Sequence, residues 1–122
     1  MTASELKYLI TAHELNIGGS GARMAAMAER LCVSKVSVCR AVERLIASGY
    51  FFQKGKRVLL TDKGLTEINE YLVVTDLIRG KLQRHCDIPE ETAFAEAVGV
   101  TCALGEESRK KVLAFAKKQQ VD

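Results

Sequence analysis

The stretch SKVSVCRAVERLIASGYFFQKGKRVLL, residues 34–60, carries two periodicities one after the other. From Val38 onward the apolar residues Ala41, Val42, Leu45 and Ile46 recur three and four positions apart, which places them on one face of a helix. Ser34 stands where a side-chain oxygen can cap the first turn, and Gly49 stands where the chain must leave the last one. The composition then changes. Tyr50-Phe51-Phe52 and Val58-Leu59-Leu60 are strand formers on either side of Lys54-Gly55-Lys56-Arg57, so the spacing predicts a hairpin of two strands with a basic tip.

Working outward, Leu6, Leu9, Ile10, His13 and Leu15 predict a first helix over Ser4–Leu15, and the polar, Gly-rich run Asn16–Gly21 is turn chemistry. Met24, Met27, Ala28 and Leu31 predict a short second helix, broken by Cys32-Val33-Ser34-Lys35 before the third. On the other side, Thr61 caps a long fourth helix from Asp62 to near Cys86-Asp87, with Leu65, Ile68, Leu72, Leu77, Ile78 and Leu82 as its apolar positions. Pro89 at a first helical position, followed by Glu90 and Glu91, opens a fifth helix. Gly105 with Glu106 and Glu107 separates off a sixth, which ends in a polar tail from Lys117 to Asp122. The expected fold is therefore mainly α: a winged helix-turn-helix of three helices plus a β-hairpin wing over residues 1–63, then a helical dimerisation domain over residues 64–122.

Composition sets the outer limits. With 122 residues, 48% hydrophobic and 27% charged, one Pro and nine Gly, the chain is long enough for one core and a helical annex and too short for a multidomain enzyme. No apolar run approaches the roughly 20 residues of a membrane span, so a cytoplasmic protein is expected. Cys32, Cys39, Cys86 and Cys102 show no C-x-x-C spacing and are read as reduced thiols. Charge is uneven. Residues 1–60 hold nine Lys and Arg against four Asp and Glu, whereas residues 61–122 hold nine against eleven. A polyanion partner for the first half follows.

In a helix-turn-helix the third helix reads the major groove and the wing reaches a flanking phosphate or minor groove. The candidate DNA contacts are Ser34, Lys35, Ser37, Val38, Arg40 and Arg44 on the helix and Lys54, Lys56 and Arg57 on the wing. Arg40 has the donors for a bidentate pair with guanine or a phosphate, whereas the wing needs charge more than geometry. Cys39 reads as a small packing residue or an oxidation sensor. His13 and His85 stand beside no nucleophile motif, phosphate loop or paired carboxylates, so no enzyme is expected.

Several of these stretches resemble the DNA-binding domain of the diphtheria-toxin-repressor family of iron- and manganese-responsive regulators: Tyr8-Leu9, Met27-Ala28-Glu29-Arg30-Leu31-Cys32-Val33-Ser34, then Val38, Val42, Arg44-Leu45 and Gly49-Tyr50, and Leu60-Thr61-Asp62-Lys63-Gly64. The Leu-Thr-x-Lys-Gly element is shared with the multiple-antibiotic-resistance regulators. The stretch from Thr75 through Ile88-Pro89-Glu90-Glu91 to Ala97 and Glu106-Glu107 is similar to the first family's helical dimerisation domain, without the additional SH3-like domain that some members carry. The resemblance implies a homodimer on double-stranded DNA at an inverted repeat, acting as a repressor, with Mn or Fe as effector.

The metal positions that the resemblance implies hold other residues: Lys7, Thr75, Arg79, Phe94, Val98, Thr101 and Cys102. Of these only Cys102 is a donor, and Lys7 and Arg79 bring positive charge. Asp76, His85, Cys86 and Cys102 are the remaining ligand types nearby, but adjacent residues such as His85 and Cys86 point about 100° apart on a helix. The expectation is a regulator without the family's metal switch. Two alternatives stand beside it, a winged-helix adaptor that binds protein and a metal-responsive repressor with a displaced site.

Overall fold

The computed structural model describes residues 1–121. Its elements run α1 (Ala3–Leu15), a 3-10 turn (Ile17–Gly19), β1 (Ala22–Arg23), α2 (Met24–Leu31), α3 (Lys35–Ala47), β2 (Phe51–Lys54), β3 (Arg57–Leu60), α4 (Asp62–Cys86), α5 (Glu90–Ala103) and α6 (Glu106–Val121). The protein is mainly helical, a winged helix-turn-helix followed by a helical unit. It forms two compact units, Ser4–Ile68 and, from Asn69 onward, the remaining helices together with Met1–Ala3.

In the first unit α1, α2 and α3 bury one face each. Leu6, Leu9 and Ala12 come from α1, Met27 and Ala28 from α2, and Val38, Ala41, Val42 and Leu45 from α3. Phe51, Val58 and Leu60 close this core from the sheet, and Ile68 from the start of α4. The turn between α2 and α3 uses an unusual residue. Cys32 takes the left-handed conformation with φ 56°, while the Cys32 and Val33 N–H groups donate to the Glu29 and Ala28 carbonyls. Ser34 then caps α3, its Oγ accepting from the Ser37 N–H at 3.1 Å. At the other end of α3 the Gly49 and Tyr50 N–H groups donate to the Ile46 and Leu45 carbonyls, the paired closure expected of a glycine terminator.

The hairpin has a third strand. β1 pairs antiparallel with β3, giving the order β1-β3-β2, where the sequence predicted only two strands. Two residues are too few for an alternating pattern, so β1 has no local signature. Its position comes from the loop before it. Asn16 Oδ1 accepts from the Gly21 N–H at 2.7 Å, Ser20 Oγ donates to the Ile17 carbonyl, and Gly21 (φ +92°) packs so tightly that an added Cβ would sit 2.9 Å from the Leu59 side chain.

The Leu60-Thr61-Asp62-Lys63-Gly64 element turns out to be a joint between α3 and α4. Thr61 Oγ1 donates to the Gly49 carbonyl at 2.6 Å and accepts from the Gly64 N–H at 3.0 Å, so one hydroxyl ties the end of α3 to the start of α4. Lys63 Nζ donates to the Ser48 carbonyl at 2.9 Å and sits 4.8 Å over the Tyr50 ring. Gly64 packs directly on the Tyr50 carbonyl oxygen, leaving no room for a side chain.

In the second unit α4 buries Tyr71, Val74 and Thr75, α5 buries Ala93, Ala97, Val98 and Thr101, and α6 buries Leu113 and Ala116. Of the apolar positions expected along α4, Ile68 is buried, Leu72, Leu77, Ile78 and Leu82 are half-buried, and Leu65 is exposed. The helix turns Tyr71, Val74 and Thr75 inward, and Thr75 meets Thr101 of α5. Pro89 precedes α5 as its N-cap rather than standing inside it, and α6 runs through the expected polar tail to Val121.

Candidate nucleic-acid interface

The sequence-predicted contact residues divide into three groups. The first faces a groove of about 730 Å³ lined by Lys35 of α3, by Gln53, Lys54, Lys56 and Arg57 of the wing, and by Arg23, Met24, Ala25 and Cys39. Five of these side chains are cations. Among the described residues none of the five forms an ion pair with a carboxylate. Cations converging on an open groove with no compensating acid raise the local potential and favour a polyanion.

The second group lies elsewhere on α3. Ser37, Arg40 and Arg44 are exposed. At 100° per residue Arg40 projects almost opposite the buried Val38/Ala41/Val42/Leu45 face, and Ser37 and Arg44 project on the flank away from Lys35 and Cys39. Exposed Val36, 59% accessible, shares the outermost line with Arg40. Ser34 is exposed too, but its hydroxyl caps the helix and donates to Ser37 Oγ at 3.0 Å.

The third group is Val38 alone, and it is a correction. Val38 is 0% exposed and belongs to the core. It heads the apolar stripe, and the position that starts the inner face of a helix cannot also reach a groove on the outer one.

On the wing, Gly55 (φ +65°) is the first of two central residues in the turn between Lys54 and Arg57, a geometry that glycine accepts without cost. Lys54 and Lys56 are exposed. Arg57 is half-buried and is held by a bond from Nη1 to the Gly21 carbonyl at 3.1 Å, one of the five N–H donors that a guanidinium carries. Cys39 is not a packing residue. Its thiol is exposed in the groove, 3.8 Å from Met24 Sδ.

Arg23 was not among the sequence-predicted residues. It reaches the groove only because β1 pairs with the wing, and the one signal in the chain was the excess of positive charge in the first 60 residues.

The positions at which the resemblance implies metal ligands hold different chemistry. Lys7 is exposed on α1. Thr75 and Thr101, both 0% exposed, share a hydrogen bond of 2.9 Å, and Thr101 also bonds the Ala97 carbonyl at 2.8 Å. Arg79 pairs with Asp76 at 2.9 Å and lies 5.8 Å over the Phe94 ring. Val98 is in the core and Cys102 is half-buried. Among the described residues no three His, Cys, Asp or Glu side chains converge on a point that a metal could occupy. These residues do not fit a Mn or Fe site, because hydroxyls already satisfied by each other and a guanidinium make poor donors to a divalent ion.

No family model matches the sequence, and no curated protein is similar enough to match it. Solved structures do match. A hypothetical protein from Sulfolobus solfataricus superposes with a TM-score of 0.76 at 25% identity, over 97% of this chain and 91% of that one. The manganese regulator SloR gives 0.77 at 22% identity over 96% of this chain, and the metal-dependent transcriptional regulator MtsR gives 0.78 at 19% over 96%. In both regulators the chain spans just over half the length, 55%. The fold of the diphtheria-toxin-repressor type of metal-dependent regulator, expected from the sequence, is the fold of this chain.

Proposed function

We propose that this protein is a sequence-specific DNA-binding transcriptional regulator that acts as a homodimer on an inverted-repeat operator, as a repressor, without Mn or Fe as an obligatory effector. The observation that carries the reading is the groove between α3 and the wing with its five uncompensated cations. A duplex lying along it would meet phosphates on the wing side and present base edges to the exposed outer line of α3, where Arg40 has the donors to read guanine. The likeness in fold to the metal-dependent transcriptional regulator MtsR supports the same role.

Dimerisation through the helical unit draws support from the apolar surface it leaves open: Val100 is 44% and Phe115 49% exposed, and Leu72, Leu77, Ile78 and Leu82 are only half-covered. Independence from metal draws support from the donor set at α4 and α5. No catalytic step is part of the proposal, and its compartment is the cytoplasm. Among the described residues no helix is long and apolar enough to cross a membrane.

Selection of bound sequences from a random duplex pool, with and without added Mn²⁺ or Fe²⁺, tests the reading. Recovery of one palindromic sequence under both conditions supports it. No enrichment at any salt concentration overturns it in favour of the protein-binding adaptor, and enrichment only with metal overturns the metal-independent part.

A further inference from the structure

We infer that the three-stranded wing carries a dedicated clamp for a backbone phosphate, formed by Arg23, Arg57 and Lys54 in a row across the sheet. This rests on the DNA-binding reading above and adds to it a site to which the sequence assigned only two of the three residues and no common geometry. The strand register supplies the row. Arg23 on β1 stands directly opposite Arg57 on β3, and Arg57 stands directly opposite Lys54 on β2. Residues paired across antiparallel strands project from the same face with their Cβ atoms about 4.5–5.5 Å apart. Three positive side chains therefore stand side by side on one face.

Like charges directly opposite one another destabilise a sheet, and nothing nearby offsets them. Among the described residues none of the three forms an ion pair. The chain nevertheless builds the row with several separate contacts. Asn16 holds the Gly21 N–H, Arg57 Nη1 holds the Gly21 carbonyl, and Gly21 itself permits the close approach of Leu59 that brings β1 alongside β3. The central guanidinium is thus fixed while the two outer cations, both exposed, can close from either side on a bound anion.

A phosphodiester fits this arrangement, since its two free oxygens can take donors from Arg57 and from a neighbour at once. The chemistry recognises the phosphate and not the base, so the clamp contributes equally to every duplex. Removing it lowers affinity without changing preference, which distinguishes it from the role given to Arg40.

The test uses the full chain and a random-sequence duplex, with affinity measured over a range of salt concentrations for Arg23→Gln, Lys54→Gln and, as a control from the helical unit, Lys111→Gln. For each clamp variant the slope of log affinity against log salt is expected to flatten by less than about 0.9, the value for the one phosphate that the three cations share, and the control is expected to match the wild type. Melting of the DNA-free protein gives a second readout. At low salt Arg23→Gln is expected to raise the melting temperature by about 1–4 °C, because it removes one of the two like charges that face each other across β1 and β3, and the gain is expected to vanish at high salt. Asn16→Ala keeps every charge but frees β1, and is expected to weaken binding to all duplexes alike. Wild-type slopes for both clamp variants, or a loss confined to particular sequences, overturn the clamp while leaving DNA binding intact. A wild-type protein that holds no duplex at any salt overturns the underlying reading instead.

Discussion

The hydroxyls of Thr75 and Thr101 meet 2.9 Å apart, joining α4 to α5 with neither side chain exposed to solvent. The pair is not symmetric in its alternatives, for Thr101 also bonds the Ala97 carbonyl, one turn back along its own helix. Thr101→Val therefore strips the Thr75 hydroxyl of its partner in a buried place and is expected to cost about 1–3 kcal/mol in chemical denaturation. Thr75→Val leaves Thr101 its carbonyl and is expected to cost less than about 1 kcal/mol. The double variant, with both hydroxyls replaced by methyls of similar volume, should be more stable than Thr101→Val alone.

At the joint between α3 and α4, Gly64→Ala places a methyl against the Tyr50 carbonyl oxygen, a backbone atom with nowhere to go. A loss of about 3 kcal/mol or more is expected, since the clash can be relieved only by moving the helix start. Thr61→Val removes the hydroxyl that serves both Gly49 and Gly64 and is expected to cost about 1–3 kcal/mol, read from the same denaturation curves.

Cys32 holds the left-handed conformation, φ 56°, that ends α2. A side chain there is strained against the backbone by about 1–2 kcal/mol, part of which glycine returns as greater freedom in the unfolded chain. Cys32→Gly is expected to stabilise the protein by about 0.5–1 kcal/mol with DNA affinity unchanged. A lower melting temperature would show that the thiol, not the turn, sets the stability at this position.

The donor set predicts how the protein responds to chelation. Operator affinity after exhaustive treatment with a chelator is expected to equal that with saturating Mn²⁺, Fe²⁺ or Zn²⁺. A tenfold or greater gain with metal, abolished by Cys102→Ala, would place a metal site where the hydroxyl pair and Arg79 leave no room for one.

Glu106 opens α6 and accepts a hydrogen bond from Lys110 at 3.1 Å, which holds its carboxyl below the ordinary value. A carboxylate depressed in the folded state contributes stability above its unfolded pKa and loses that contribution as pH falls through the folded value. Acidification is thus expected to loosen the first turn of α6, seen as faster amide exchange there. Lys110→Gln should move the Glu106 titration back upward in an NMR experiment.

Most of the fold was legible because its signals are local. The caps at Ser34 and Thr61, the terminator Gly49 and the helical stripe of α3 each act within a few residues, and each is found in the protein where the residue types place it. Even the Leu60–Gly64 element, visible in the chain only as a pattern, has a short-range cause in one hydroxyl, one lysine and one missing side chain. The inward turn of Val38 was contained in that periodicity too, since a residue that begins a buried face is committed by the helix repeat.

What the sequence by itself determined, then, is the order of helices and hairpin and an excess of positive charge in the first 60 residues; tertiary structure decided where that charge points. Arg23 joins Arg57 and Lys54 only through the pairing of β1 with β3, a contact between residues 34 positions apart whose two-residue strand has no periodicity of its own. The same holds at the α4–α5 contact, where two threonines unremarkable in the chain become a buried bond because the helices bring residues 26 positions apart within reach. A hydrogen bond or a row of charges depends on distance in space, and spacing along a chain specifies that distance only within one helix or one strand.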